Sequence, residues 1–151
     1  MCRIAGIWDF KKELGPRLEE ELLLMRDSMV HGGPDDAGIF INKEKGIALA
    51  HRRLSIIDLS SNGHQPMRSK DGSVWITYNG EIYNFLELKI ELESKGHTFL
   101  SKTDTEVLIY GYKEWGLEKL LSKLRGMFAF AIYDFEKNCL YLVLFLPLRE
   151  S

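Results

Sequence analysis

The second residue has chemistry that few side chains carry alone. Cys2 directly follows Met1, and removal of Met1 would leave a thiol and a free α-amine on one residue. A thiol of pKa ~8.5 beside an amine of pKa ~7.7–8.0 can transfer its proton near neutrality. Such a residue is nucleophile and base together, the amine acting as His does in a catalytic triad. A Met-Cys start also occurs without chemical meaning, so the rest of the chain has to supply a pocket, oxyanion donors and substrate clamps. The four His and two Cys are scattered without metal-ligand spacing, and no metal site is expected. His31, His51, His64 and His97 are read as structural or hydrogen-bonding residues, because the Cys2 amine already provides a base. Cys139, in an apolar run, reads as a buried core thiol.

Hydrophobic periodicity gives the elements that would position Cys2. Ile4–Trp8 suits a short buried strand with Cys2 at its open end. Leu18, Leu22, Met25 and Met29 recur at helical spacing behind Glu19, Glu20 and Glu21, which the helix dipole favours in a first turn. His31-Gly32-Gly33-Pro34-Asp35-Asp36 reads as an irregular tight loop. Gly38–Ile41 and Gly46–Ala50 form a hairpin around Asn42-Lys43-Glu44-Lys45. The long polar connection Ser60–Met67 has the character of a functional loop. Val74–Tyr78 is β-branched and aromatic, hence a strand. A helix through Phe85, Leu88 and Leu92 follows, closed by Gly96.

Thr103-Asp104-Thr105-Glu106 has the form of a capping box, opening a helix with Val107, Leu108, Gly111, Tyr112 and Trp115 on one face. Leu117, Leu120, Leu121 and Leu124 mark a short helix. Met127–Tyr133 is apolar on both faces, as in a strand between two covered layers. Cys139–Leu146 is apolar but far too short to span a membrane. Two-sided strands with amphipathic helices predict sheets sandwiched between helical layers.

The chain has 151 residues, 45% apolar and 28% charged, which suits one soluble globular domain. Its net charge of −2 offers no basic field for nucleic acid. The Ile4–Trp8 run is too short for a signal peptide, and Cys2 in place of Gly excludes N-myristoylation. A cytoplasmic protein without membrane or nucleic-acid partners is expected.

Several stretches, in order, resemble one family. They are Met1-Cys2, His31-x-Gly33-Pro34-Asp35, His51-x-Arg53-Leu54-Ser55-Ile56-Ile57-Asp58 and Gly63-His64-Gln65-Pro66-Met67. Tyr78-Asn79-Gly80-Glu81-Ile82-Tyr83-Asn84, Asp104-Thr105-Glu106-Val107 and Gly126-Met127-Phe128-Ala129-Phe130-Ala131 follow. Together they resemble the class II glutamine amidotransferase domain of glutamine-hydrolysing asparagine synthetase, over residues 1 to about 142. The resemblance implies an α+β fold, the four-layer αββα sandwich of N-terminal nucleophile hydrolases, as one domain over 1–151.

It also implies roles. Cys2 is the nucleophile, and Asn79 and Gly80 form the oxyanion hole, by a side-chain amide and a backbone N–H. Arg53 binds the glutamine carboxylate, as a planar guanidinium does well. Asp104 binds the ammonium, Glu81 helps to hold glutamine, and the backbone of Arg53, Leu54, Ser55, Ile56 and Ile57 lines the pocket. Plainer readings stand beside these: a loop Arg, an Asn-Gly turn, and an Asp that stabilises a helix start. Arg52 matches nothing in the pattern and reads as a solvated loop residue. No cofactor is implied for glutamine hydrolysis; ATP and Mg would belong to a synthetase domain, and ammonia would pass to such a domain or chain.

Three departures stand out. Arg3 replaces the Gly that normally follows the Cys, where it either favours the thiolate or obstructs the pocket. Gly32 replaces an Arg in His-Arg-Gly-Pro-Asp. From about 143 the polar continuation gives way to apolar Val143–Leu148, which a reading-frame change or shortening would produce. An exposed apolar tail there is expected to drive association. Two rival functions follow: a catalytically silent glutamine-binding remnant, and an amidohydrolase of the same fold acting on another amide.

Overall fold

The computed structural model describes residues 1–146; the part of the tail expectation that falls on Pro147 and Leu148 lies outside them. The first sheet is built from β1 (Arg3–Trp8), β2 (Asp36–Asn42) and β3 (Ile47–Arg53), antiparallel in the order β1-β3-β2. β2 and β3 form the expected hairpin. Its turn is fixed by Asn42 Oδ1 accepting from Lys45 N at 2.9 Å and by Gly46 at φ 67°. β3 alternates faces, as a strand must. Ala48 and Ala50 meet Leu18 and Leu22 of α1 (Leu18–Asp27), while Ile47 and Leu49 point the other way.

The second sheet holds β4 (Met67–Arg68), β5 (Val74–Ile82), β6 (Gly126–Asp134) and β7 (Cys139–Phe145), in the order β4-β5-β6-β7. Ala131 and Tyr133 of β6 pack against Ile47 and Leu49 of the first sheet, and Phe40 stacks on Trp75 at 3.7 Å between the sheets. On its outer face, Ile76, Ile82, Phe130 and Ile132 pack against α2 (Phe85–Ser94), α3 (Asp104–Trp115) and α4 (Leu117–Lys123). The order of layers is therefore α1, first sheet, second sheet, α2–α4. This is the αββα sandwich that the family resemblance implies, and it agrees with the sheets between helical layers read from periodicity.

Several local expectations need correction. Helix α1 ends at Asp27, leaving Met25 39% exposed and Met29 outside the helix. The loop through His31 holds one 3-10 turn, Val30–Gly32. Helix α3 begins where predicted, but no reciprocal capping box forms. Thr103 makes no side-chain cap, and Glu106 reaches back to the amides of Leu100 and Ser101 at 2.7–3.2 Å. Cys139 is half-exposed at the start of β7, its thiol 3.3 Å from Lys137 O, because it sits at a hairpin turn. Arg52 is no solvated loop residue. It lies on the outer face of β3, donates to Gly33 O at 2.9 Å and pairs with Asp27 at 3.4 Å.

The tail splits by strand alternation. Tyr141 and Val143 pack on the helical core and Leu140 enters the inter-sheet core, whereas Leu142, Leu144 and Leu146 are 75%, 72% and 65% exposed. Of the described residues of the Val143–Leu148 run, Val143 packs on the core while Leu144, Phe145 and Leu146 are exposed, as expected of an exposed tail.

Candidate functional site

The ends of β1, β3 and β5 and the start of α3 converge on a cleft of about 200 Å³. Cys2, immediately before β1, lies in its wall. The Cys2 Sγ accepts from Leu54 N–H at 3.3 Å and lies 3.6 Å from Leu54 O. Met1, 71% exposed, shares the cleft wall, and its loss would free the Cys2 amine.

Strand β5 is longer than the sequence suggests, continuing through Asn79 and Gly80 to Ile82 opposite Ala129–Gly126. Asn79 and Gly80 are thus strand residues, not a turn. Their placement follows from alternation. Thr77 Oγ1 reaches Ala50 O at 3.1 Å, so Asn79, two residues on, also presents its side chain towards the first sheet. Along the backbone, Tyr78 N donates to Gln65 Oε1 at 2.7 Å and Ile82 N to Asp104 Oδ2 at 3.0 Å. Both amides point off the edge that β6 does not pair. Gly80 N–H, midway between them, points the same way, into the cleft that Gly80 lines. The sheet admits only glycine here, since a Cβ on Gly80 would stand 2.4 Å from Met127 O and 2.6 Å from Phe128 Cα.

Arg53 and Asp104 mark opposite requirements for charge. Arg53 ends β3 on its inner face and is only 7% exposed. Its fork donates to Ser60 O at 3.1 Å and to Asp58 O, leaving its remaining N–H groups for a ligand. Asp58 is itself held down to about 2 by the Lys102 amide and then by Ser60, which ties this loop to the chain before α3. Asp104 is 4% exposed and accepts from the Tyr78 hydroxyl at 2.6 Å and from Ile82 N. Burial pushes its carboxyl upward against the opposing hydrogen bonds, and no cation pairs with it among the described residues. A buried carboxylate beside a cleft in this condition is matched by a cationic ligand group.

Glu81, Leu54, Ile56 and Ile57 also line the cleft, Ile56 and Ile57 being 73% and 45% exposed on the loop beyond β3. Ser55 does not line it; its N–H is turned to Asp35 Oδ2 at 2.8 Å. The histidines stand apart from base chemistry. His51 is driven down to about 4 by burial and meets Tyr78 O at 2.9 Å. His64 faces Asp36 at 2.7 Å and His97 faces Glu114 at 2.9 Å. Residue patterns missed Gln65 and Tyr78, which brace the site. Gln65 had its place in the Gly-His-Gln-Pro-Met phrase as a signal, and Tyr78 stood next to Asn79.

The first two departures from the family pattern prove to be neighbours. The Arg3 side chain lies over Gly32, where a Cβ would meet Arg3 Nε at 2.7 Å and its Cγ and Cζ at 2.8 Å. Arg3 Nη1 donates to the carbonyls of Met1 and Cys2, each at 3.1 Å. The guanidinium is folded back along the N-terminus, and Arg3 is not among the residues lining the cleft.

A four-layer αββα sandwich with a cysteine at the head of its first strand defines the N-terminal nucleophile hydrolase class. Within it, the chain belongs to the glutamine amidotransferase domain family, whose model matches residues 1–144. Asparagine synthetase [glutamine-hydrolyzing] 1 of Bacillus subtilis is 45% identical over 143 residues, covering 93% of this chain and 22% of that protein. Asparagine synthetase B [glutamine-hydrolyzing] of Escherichia coli is 39% identical, covering 95% and 24%. The chain therefore spans about a quarter or less of the length of these relatives. Among solved structures, glutamine phosphoribosylpyrophosphate amidotransferase from B. subtilis superposes with a TM-score of 0.73 at 23% identity, over 95% of this chain and 37% of that one. It shares the fold.

Proposed function

We propose that the chain is a single glutaminase domain of the kind found in glutamine-dependent asparagine synthetases, hydrolysing glutamine to glutamate and ammonia. The observation that carries this reading is the convergence on one cleft of Cys2, the Gly80 edge amide, a buried guanidinium and a buried carboxylate that no cation pairs with among the described residues. Free glutamine presents the matching set: a carboxylate for Arg53, an ammonium for Asp104 with Glu81 at the rim, and a side-chain amide for Cys2.

With Met1 removed, the Cys2 α-amine takes the thiol proton as sulfur attacks the amide carbon. The amide oxygen becomes an oxyanion facing Gly80 N–H and the Asn79 side-chain amide. The protonated α-amine then gives its proton to the departing nitrogen, releasing ammonia and leaving a γ-glutamyl thioester on Cys2. Water, deprotonated by the same amine, attacks the thioester; glutamate leaves and the thiol is restored. No step calls for a cofactor or metal, and ATP and Mg would act in a synthetase domain. A separate synthetase domain or chain would accept the ammonia, and the cytoplasm is the proposed setting. Among the described residues no helix is long and apolar enough to cross a membrane.

Measuring glutamate release from glutamine tests the reading. Processed wild type should turn over, Cys2→Ala should lose at least ~10³-fold with its fold kept, and Cys139→Ala should stay near wild type. Equal loss from both substitutions, or glutamine binding without turnover by the processed wild type, would contradict it.

A further inference from the structure

The Gly63-His64-Gln65-Pro66 stretch contributes no group to the mechanism, yet it delivers a buried amide side chain into the same cleft. Gln65 is 4% exposed. Strand β4 covers only two positions of β5, pairing Met67 with Ile76 and Arg68 with Trp75. Beyond Ile76 the outer edge of β5 therefore has no neighbouring strand among the described residues, although the strand runs on through Asn79 and Gly80 to Ile82. An unpaired, buried edge amide is costly and has to find another acceptor.

Gln65 supplies that acceptor. Its Oε1 takes Tyr78 N–H at 2.7 Å, where the next rung of a ladder would stand. Its Nε2 donates to Thr105 Oγ1 at 3.4 Å on α3, one residue after Asp104. Asp104 Oδ2 in turn takes Ile82 N–H at 3.0 Å. Of the edge amides at Tyr78, Gly80 and Ile82, the outer two are thus held by side chains and the middle one faces the cleft. Close approach of backbones makes room for this arrangement, since a Cβ on Gly38 would stand 2.0 Å from Gln65 O.

We infer that Gln65 is a positioning residue: it substitutes for the missing strand partner of β5, aims the Gly80 N–H at the oxyanion, and locks that edge to the helix carrying Asp104. The catalytic consequence rests on the glutaminase reading; the placement of the β5 edge does not. Gln65→Met keeps the length and removes both hydrogen bonds. Gln65→Glu keeps an acceptor for Tyr78 N–H and serves as the conservative rescue.

Amide hydrogen exchange and chemical shifts across Tyr78–Ile82 form the first arm, on the full chain. Gln65→Met should lose Tyr78 protection and shift the Gly80 amide, whereas Gln65→Glu should retain Tyr78 protection. The second arm is steady-state glutamine hydrolysis. Misplacing one oxyanion donor should lower kcat by ~10–100-fold with KM changed less than ~3-fold, because the interaction matters only in the transition state. Unchanged Tyr78 and Gly80 amides in Gln65→Met would overturn the positioning role whatever the activity. A raised KM with unchanged kcat would overturn its catalytic aim. If Gln65→Met does not fold, Gln65→Glu decides, and loss of Tyr78 protection there overturns the inference. A wild type with no glutaminase activity but the expected exchange pattern would reject the function and leave the β5 edge role supported.

Discussion

Asp104 sits where stability and function make opposite demands. Its carboxyl is raised by burial above its ordinary value, against the hydrogen bonds from Tyr78 and Ile82. A raised folded-state pKa means that this group favours folding at low pH and opposes it as pH climbs through the raised value. Asp104→Asn keeps an oxygen for Tyr78 OH and Ile82 N while removing the buried charge. Melting temperature at neutral pH should be unchanged or higher, while glutamine affinity falls by ~10–100-fold, the scale of one lost charge-assisted hydrogen bond. For wild type, calorimetric affinity should fall as pH drops through the raised value, and the variant should show no such limb. A variant that is less stable yet binds normally would mean that Asp104 serves only the helix. Arg53→Lys should weaken binding by ~1.5–3 kcal/mol, read as a rise in KM, because Lys cannot hold the Ser60 and Asp58 carbonyls and a ligand carboxylate together. Sequence made these residue types legible, since a guanidinium, a carboxylate and an N-terminal thiol each have few uses in one ordered pattern. Tyr78 and Gln65 stayed hidden because their roles arise from partners 26 and 40 residues away. The family pattern separated Arg53 from Arg52, but the contacts of Arg52 with Gly33 and Asp27 show only once β3 fixes which face each occupies.

Among the elements, the amphipathic ones were read well because burial periodicity is local: Leu18 and Leu22 on α1, Leu88 and Leu92 on α2, and the two faces of β6. What the pattern missed depends on pairing. Strand β5 runs four residues beyond Tyr78, to Ile82, because Gly80 and Gly126 let it lie close to β6, and no local propensity reports that approach. Gly80→Ala should therefore act through the sheet as well as the site. With its Cβ 2.4 Å from Met127 O, the strand must move. Loss of several kcal/mol is expected, together with loss of glutaminase activity in whatever fraction folds. A thermal melt matching wild type would contradict the geometry of β5 and β6. The capping box failed for a related reason: Glu106 found better donors at Leu100 and Ser101, in the loop that Asp58 also ties down through Lys102.

At the scale of the whole molecule, four layers bury three apolar clusters, but the first sheet is one strand narrower than the second and does not cover all of β7. Leu142 and Leu144 remain exposed on that edge strand and Leu146 just beyond it, with Met127 40% exposed on β6. Such a patch favours association. Light scattering of the isolated chain at tens of micromolar should show oligomers, and Leu142→Ser with Leu144→Lys should raise the monomeric fraction without altering turnover per folded chain. A monodisperse wild-type monomer would refute this. The central claim concerns one atom, the sulfur of Cys2, made competent by loss of Met1, and intact mass spectrometry reads it directly. Purified protein is treated with a glutamine analogue bearing an electrophilic carbon in place of the side-chain amide, with and without excess glutamine. The account predicts a chain lighter by one methionine that gains a single adduct on Cys2, suppressed by glutamine and absent in Cys2→Ala. An adduct on Cys139, or labelling of Cys2 that glutamine does not suppress, would contradict it.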